Sequence, residues 1–140
     1  MVEDRKIAYF SMEIEVNSLI PSYSGGLGVL AGDLLRSFAD LRVPAVGVTL
    51  LPRRGYLFQQ IDKDGNQTEL PMNWNPEDLL AQEDKEVVVP INGREVNVRA
   101  WRYDLRESGD WVIPVYFLNV DFEKNPQDMR ELGYYLYGGD

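Results

Sequence analysis

Apolar residues form two short continuous runs near the start of the chain, with a helical pattern between them. The runs cover residues 7–10 and 45–51, and their aromatic and β-branched side chains predict two buried strands. Between them, apolar residues recur at intervals of three and four, which predicts a helix over residues 26–41 with one buried face. The residues on this predicted face are Leu27, Leu30, Ala31, Leu34, Leu35, Phe38 and Leu41.

Two segments farther along the chain have hairpin sequences. The first carries Lys-Asp-Gly-Asn at residues 63–66 between two strand-like runs, and the second carries Asn92 and Gly93 between two more. Asn-Gly is the stronger hairpin signal, because both residues tolerate the positive φ angles of a tight two-residue turn. Residues 71–85 are polar and predict a connection between the two hairpins.

The last apolar run, residues 111–120, predicts a strand that rejoins the first sheet. The tail beyond it predicts a loop with one or two helical turns from Pro126. Because strand, helix and strand in succession usually form a right-handed crossover, the first two strands should be parallel. The sequence thus predicts an α/β fold in a single domain. The three apolar runs form a parallel sheet, the helix lies on one face, and both hairpins form a separate antiparallel lobe.

Composition excludes several classes of function. The 140 residues suffice for one domain with a buried core. Because the chain has no cysteine and no histidine, it has no disulfide and no nucleophile–histidine triad, and we expect no metal site. The net charge of −9 argues against nucleic-acid or anionic-membrane binding. The charged first residues do not fit a signal peptide, and no apolar run reaches about 18 residues, so we expect a cytoplasmic protein without membrane contact.

Three glycines within four positions, Gly25, Gly26 and Gly28, open the predicted helix. The first amides of a helix have no intrahelical acceptor and carry partial positive charge, so they stabilise an anion, and glycine lets a phosphate approach the backbone. A structural alternative stays open, in which Ser24 caps the helix and the glycines only shape the turn. The segment matches neither the GxGxxG nor the P-loop pattern, which disfavours nucleotide binding.

Several segments of the chain resemble, in the same order, the amino-terminal part of α-glucan phosphorylases. They are AYFSMEI at 8–14, PSYSGGLGVLAGDLLRSFADLRVPAVGVTLL at 21–51, GYLFQQIDKDGNQ at 55–67, WVIPVYFLNVD at 111–121 and LYGGD at 136–140. The similarity is closest to the shorter bacterial and archaeal type and covers almost the whole chain. It implies the Rossmann-like amino-terminal part of a two-domain glycosyltransferase B fold.

The resemblance implies roles for the glycine-rich loop, which lies at the interdomain cleft in that family. Gly25 and Gly26 would bind the substrate phosphate and the phosphate of a pyridoxal 5'-phosphate cofactor through their amides. Leu27 would face the glucosyl unit through its backbone, and Gly28 would let the helix start tightly. These implied roles agree with the phosphate site that the glycine pattern itself allows.

Acidic residues also match positions of that family. Glu13 matches an acid close to the catalytic pocket, and a buried structural acceptor at a strand end is the open alternative, since a buried carboxylate needs partners. Asp140 matches a motif that edges the glucan channel. Glu15 stands where many phosphorylases have an aromatic cofactor contact, and we expect it to point elsewhere. Asp33 is expected to be a carboxylate of the first helical turns that the dipole favours, and not a catalyst.

The reaction that the resemblance implies is phosphorolysis, in which inorganic phosphate attacks the end glucose of an α-1,4-glucan and releases glucose 1-phosphate. The family's cofactor lysine, catalytic-site histidine and basic phosphate ligands lie beyond the region that corresponds to Asp140. We therefore expect no catalytic residue in these 140 residues, and we interpret them as an amino-terminal fragment that works with the remainder of a phosphorylase. Two alternatives stay open. One is a glycogen or starch synthase, whose usual lysine upstream of the loop is missing near Ser22 and Ser24, and the other is a glucan- or protein-binding module.

We predict that the purified 140-residue chain does not phosphorolyse maltodextrin in the presence of pyridoxal 5'-phosphate. The reason is that the chain has no histidine and no lysine in a context that matches the family's cofactor lysine. The measurement is the release of glucose 1-phosphate, and release above a control without protein would contradict the fragment interpretation.

Overall fold

The computed structural model describes residues 5–55, 58–70 and 72–137. The elements within these residues, in chain order, are β1 (Ile7–Phe10), α1 (Gly26–Asp40), β2 (Ala45–Leu50), β3 (Phe58–Ile61), β4 (Gln67–Leu70), a 3-10 turn (Pro76–Asp78), β5 (Ala81–Ile91), β6 (Arg94–Leu105), β7 (Ile113–Asn119) and α2 (Gln127–Glu131). Within the same ranges, no helix combines the length and the apolar character that crossing a bilayer requires.

Five strands form one mixed sheet in the order β1-β2-β7-β6-β5. β1 pairs with β2 and β2 pairs with β7, both in parallel, with Ile7 opposite Ala45 and Gly47 opposite Val115. The three apolar runs therefore form the parallel part of the sheet, as the sequence predicts. α1 connects β1 to β2 and packs on one face of this sheet, where Leu35 closely approaches Gly47.

The hairpin at Asn92 and Gly93 belongs to this main sheet, so the prediction of a separate lobe for both hairpins is wrong. β6 is twelve residues long, and its residues 99–105 pair antiparallel with β7. A turn sequence specifies only which two strands pair with each other. The sheet that they join depends on what the strands bury, and β6 buries Trp101 and Leu105 in the core beneath α1.

The local turn prediction for this hairpin is confirmed, since Asn92 has a φ of 51° and Gly93 a φ of 74°. The first hairpin is the one that forms a sheet of its own, with β3 and β4 antiparallel and Phe58 opposite Leu70. Residues 81–85, predicted to be part of a connection, instead begin β5. The short helix α2 agrees with the helical turns predicted in the tail.

The buried face of α1 differs from the one that the apolar pattern predicts. Of the predicted residues, Ala31 and Leu35 are buried, but Leu27, Leu30 and Leu41 are 51%, 66% and 76% exposed. The residues that α1 buries are Gly28, Ala31, Gly32, Leu35 and Ala39. Small residues thus make up most of the buried face and let other backbone approach the helix closely. The predicted face is right at Ala31, Leu35 and Phe38, which packs against the core, and wrong at the three exposed leucines.

The segment from Glu13 to Val16 is the backbone that uses this small-residue face. A Cβ atom added to Gly32 would lie 2.1 Å from the carbonyl oxygen of Glu15. The amide of Glu15 donates to the carbonyl of Gly28 at 3.0 Å, and the Glu15 carboxylate forms an ion pair with Arg36 at 2.7 Å. The segment is therefore held against α1 by close packing, a backbone hydrogen bond and an ion pair.

We predict that Gly32→Ala lowers the free energy of unfolding by about 1–3 kcal/mol, because the new methyl group would overlap a backbone carbonyl that cannot rotate away. The substitution would be stabilising in an ordinary exposed helix, where alanine is favoured over glycine by about 1 kcal/mol. Gly109→Ala is the control, because a Cβ there meets nothing within 4 Å, and it should change stability by less than about 0.5 kcal/mol. Urea denaturation measures both, and a Gly32→Ala chain as stable as the wild type would contradict the close approach.

Candidate functional site

The glycine-rich loop forms the start of α1, as predicted. The helix begins at Gly26, and Gly25 is its N-cap residue, with no side chain capping the helix. The alternative in which Ser24 caps the helix therefore does not hold, because Ser24 lies one residue before the N-cap position. Its hydroxyl donates instead to Oε1 of Glu13 at 3.2 Å.

Glu13 binds the turn that leads into α1 from another part of the chain. Its side chain is buried, with the residue 2% exposed. Oε2 accepts the backbone amides of Ser24 at 2.9 Å and Gly25 at 3.4 Å. Oε1 accepts the hydroxyls of Ser24 and of Tyr137. The structure therefore brings residues from three distant parts of the chain to one carboxylate.

The environment of Glu13 favours its ionised form. Burial raises the pKa of this carboxyl. The hydrogen bonds from Tyr137, Ser24 and Gly25 together lower the pKa by more than burial raises it, so the pKa lies below the ordinary value of 4.5. The carboxylate is thus charged at neutral pH, and its negative charge lies beside the amino-terminal end of α1, where the helix dipole favours it.

The amides of the first turn of α1 fall into two pairs. The amides of Gly28 and Val29 donate to the carbonyl of Gly25 at 3.2 and 3.3 Å. The amides of Gly26 and Leu27 have no acceptor among the residues that the structure describes, as is usual in a first helical turn. Both residues are exposed, so these donors are open to a ligand.

The glycines of the loop differ in what the fold demands of them. A Cβ atom on Gly28 would lie 2.3 Å from Cβ of Tyr23, so packing at the helix start requires glycine there. A Cβ atom on Gly25 or Gly26 would meet nothing within 4 Å, and neither residue has a positive φ. Within the described part of the chain, neither packing nor backbone conformation explains why Gly25 and Gly26 are glycines.

An open cleft of about 290 Å³ borders the loop. Its lining includes Tyr23 and Ser24 from the loop, together with Phe58 and Gln59 of β3. The separate hairpin therefore adds an aromatic ring and an amide to the surroundings of the loop. In the described ranges, no group of three or more acidic residues has an arrangement that could hold a metal ion.

The other acidic residues named by the sequence lie away from the free amides or outside the described residues. Glu15 pairs with Arg36 and points along the helix, away from its amino-terminal end. Asp33 lies beyond the first turn, with a largely exposed side chain 3.6 Å from Arg36, so the dipole argument does not apply to it. Asp140 lies outside the described residues.

Two contacts of the tail are not predicted by the sequence. Tyr137 reaches Glu13, and the guanidinium of Arg54 lies over the ring of Tyr134 at 4.8 Å while donating to the hydroxyl of Tyr135 at 3.1 Å. The paired residues are about 80 and 124 positions apart in sequence, and no local pattern predicts pairing over such distances. The one local feature that could have marked this region is the group of three tyrosines at 134, 135 and 137.

Sequence comparison relates the chain to phosphorylases of bacteria and archaea. No protein-family model matches the chain. It is 35% identical over 144 residues to a maltodextrin phosphorylase of Thermococcus litoralis, covering 98% of this chain and 17% of that protein. It is 38% identical over 141 residues to a glycogen phosphorylase of Mycobacterium tuberculosis, covering 96% and 16%. A glycogen phosphorylase of Aquifex aeolicus is 32% identical over 147 residues, covering 97% and 20%.

These relatives confirm the resemblance seen in the sequence. The chain is homologous, over nearly its whole length, to an amino-terminal portion of maltodextrin and glycogen phosphorylases. It spans only 16% to 20% of the length of these three relatives.

The lowered pKa of Glu13 gives a prediction for stability against pH. Because the folded pKa lies below the unfolded one, the carboxylate stabilises the fold fully above the unfolded value and loses this contribution as the pH falls through the folded value. We expect Glu13→Gln to lower the free energy of unfolding by roughly 1–2 kcal/mol at neutral pH. The difference from the wild type should shrink as the pH falls below the ordinary value of 4.5 and then through the lower folded pKa.

Urea denaturation at a series of pH values measures this difference. Glu69→Gln is the control, since Glu69 lies on β4 at an exposed position. A difference for Glu13→Gln that stays constant from neutral to strongly acidic pH would show that ionisation of Glu13 does not contribute to stability.

Proposed function

We propose that this chain is part of an α-1,4-glucan phosphorylase, a glycosyltransferase that uses inorganic phosphate to release glucose 1-phosphate from the end of a glucan. The names of the homologues support this assignment. In this proposal, residues 1–140 belong to the amino-terminal domain of a cytoplasmic enzyme with the glycosyltransferase B fold. The parallel pairing of β1, β2 and β7 around the α1 crossover supports a Rossmann-like arrangement.

The observation that carries the proposal concerns Gly25 and Gly26. In the described structure, neither packing nor a positive φ requires glycine at these two positions. Side chains at Gly25 and Gly26 would extend into open space, and the adjacent amides of Gly26 and Leu27 have no acceptor within the described residues. Glycine at such a place allows an anion to approach the backbone, and the helix dipole favours its charge. A phosphate is the ligand that best explains both features together.

The residues of the loop then have distinct roles. Gly25 and Gly26 admit inorganic phosphate and the phosphate of pyridoxal 5'-phosphate to the backbone amides, and Leu27 faces the glucosyl unit through its backbone. Bound pyridoxal 5'-phosphate would supply a phosphate group that exchanges a proton with the substrate phosphate. The part of this chain is to hold donors in fixed positions, which lowers the barrier by electrostatic preorganisation. Asp140 would lie at the edge of the glucan channel.

The charge of the chain limits what it can bind alone. A net charge of −9 and the carboxylate of Glu13 beside the loop both disfavour a phosphate dianion. The helix dipole contributes only about 1 kcal/mol. The cofactor lysine and the cationic phosphate ligands would therefore come from the remainder of the phosphorylase.

The test is Gly26→Val in a full-length phosphorylase that carries this segment. A Cβ atom at this position meets nothing within 4 Å in the described structure, and the branched side chain of valine would occupy the space through which phosphate approaches the amides. We expect phosphate-dependent turnover to fall about a hundredfold, while stability changes by less than about 1 kcal/mol. Gly109→Val, at another open glycine remote in sequence from the loop, should leave turnover unchanged.

Steady-state kinetics with varied inorganic phosphate, together with thermal denaturation, distinguishes the two readings of the loop. If Gly26→Val keeps normal turnover and phosphate affinity while only its melting temperature falls, the loop is a structural turn and the proposed role of Gly25, Gly26 and Leu27 is wrong.

A further inference from the structure

We propose that Glu13 is a positioning residue that fixes the Ser24–Gly25 peptide, so that the next two amides, those of Gly26 and Leu27, stay in place for a phosphate. This inference rests on the phosphate role proposed above for the loop. It adds the residue that sets the loop's geometry, and it separates Glu13 from the groups that contact substrate.

The backbone on both sides of Glu13 is fixed, so its carboxylate comes from a rigid support. The hydroxyl of Ser11 donates to the carbonyl of Glu13 at 2.8 Å. The amide of Ile14 donates to the carbonyl of Ser22 at 3.2 Å, and the hydroxyl of Ser22 donates back to the carbonyl of Ile14 at 2.6 Å. Ser22 lies just before the loop, so the support and the loop are joined at two neighbouring points.

The hydrogen bonds of Glu13 leave it no free capacity for a sugar hydroxyl. A carboxylate offers about four acceptor positions. Four donors use them: the amide and hydroxyl of Ser24, the amide of Gly25 and the hydroxyl of Tyr137. Because the side chain is also buried, it acts on a ligand only through the loop that it holds.

Among the residues that the structure describes, no other side chain performs this task at the start of α1. The helix has no side-chain cap and no acidic residue in its first turn. The fold also keeps space for the carboxylate, since a Cβ atom on Gly28 would lie 3.0 Å from Oε2 of Glu13 and 3.2 Å from its Cβ atom. Gly28 thus leaves room for Glu13 as well as for Tyr23, whereas a Cβ atom on Gly25 or Gly26 meets nothing within 4 Å in the described structure.

The experiment compares Glu13→Ala, Glu13→Asp and Glu13→Gln in a full-length phosphorylase that carries this segment. Alanine removes the acceptor, and aspartate keeps the charge but withdraws the oxygens from the Ser24 amide. We expect both to raise the KM for inorganic phosphate by about tenfold to a hundredfold, since a small displacement of positioned donors has effects of this size. Glutamine still accepts from the Ser24 amide and can direct its NH₂ group to the Tyr137 hydroxyl, so its KM should stay within about threefold of the wild type.

Glu15→Ala is the matched control. Glu15 lies two residues farther on, and its ion pair with Arg36 also holds the segment against α1. Its contact with the loop is the backbone hydrogen bond to the carbonyl of Gly28, which alanine keeps. We expect this variant to lower the melting temperature and to leave the KM for phosphate unchanged. A second measurement needs no turnover: in the 140-residue chain, the amide NMR resonances of Gly25 and Gly26 should shift in Glu13→Asp and stay in place in Glu15→Ala.

The outcomes separate this inference from the proposed function. An unchanged KM for phosphate in both Glu13→Ala and Glu13→Asp would overturn the positioning role, and so would a loss in Glu13→Gln as large as in Glu13→Asp. A Gly26→Val enzyme with normal phosphate affinity would instead overturn the phosphate role of the loop itself. A Gly26→Val defect together with normal Glu13 variants would leave the proposed function standing and reject the positioning role alone.

Discussion

The close contact between the segment 13–16 and the glycine face of α1 is the constraint on which the candidate site depends. The helix can approach this backbone only because Gly28 and Gly32 have no side chains. The contact brings Glu13 to the amino-terminal end of the helix, where it meets the amides of Ser24 and Gly25. The order of the loop is therefore a result of packing several residues away, and the loop sequence does not produce it alone.

The carboxylate of Glu13 thus lies next to the amides that we propose as donors to a phosphate. The dipole of the helix favours negative charge at its amino-terminal end, and the carboxylate of Glu13 lies there, bonded to the amides of the two residues that precede the helix. The next two amides have no acceptor in the part of the chain that the structure describes. A protein with a net negative charge can in this way present amide donors to an anion at one local position. The amides that are already bonded to Glu13 decide which donors remain.

The sequence predicts the parallel strands, the helix bounds to within one residue and the Asn92-Gly93 turn, because these depend on local patterns of few residues. It does not predict which sheet receives the second hairpin, because that depends on the burial of Trp101 and Leu105 against distant elements. The apolar pattern also assigns three exposed leucines to the buried face of α1. It counts large apolar side chains, whereas most residues that α1 buries are small. For the site, the glycines mark the place, but the pairing of Glu13 with Tyr137 requires the folded chain.

The joining of the second hairpin to the sheet has a consequence for solubility. It makes β5 an edge strand of eleven residues, and a long exposed edge offers unpaired backbone groups to any other extended chain. β5 carries four consecutive charged residues at 83–86 and a proline at position 90, and its pairing with β6 is irregular between Gln82 and Glu86. Charge, proline and irregular pairing all oppose the addition of a further strand. The Val87–Val89 run, which has the composition of an aggregating strand, is therefore confined between residues that prevent edge-to-edge association.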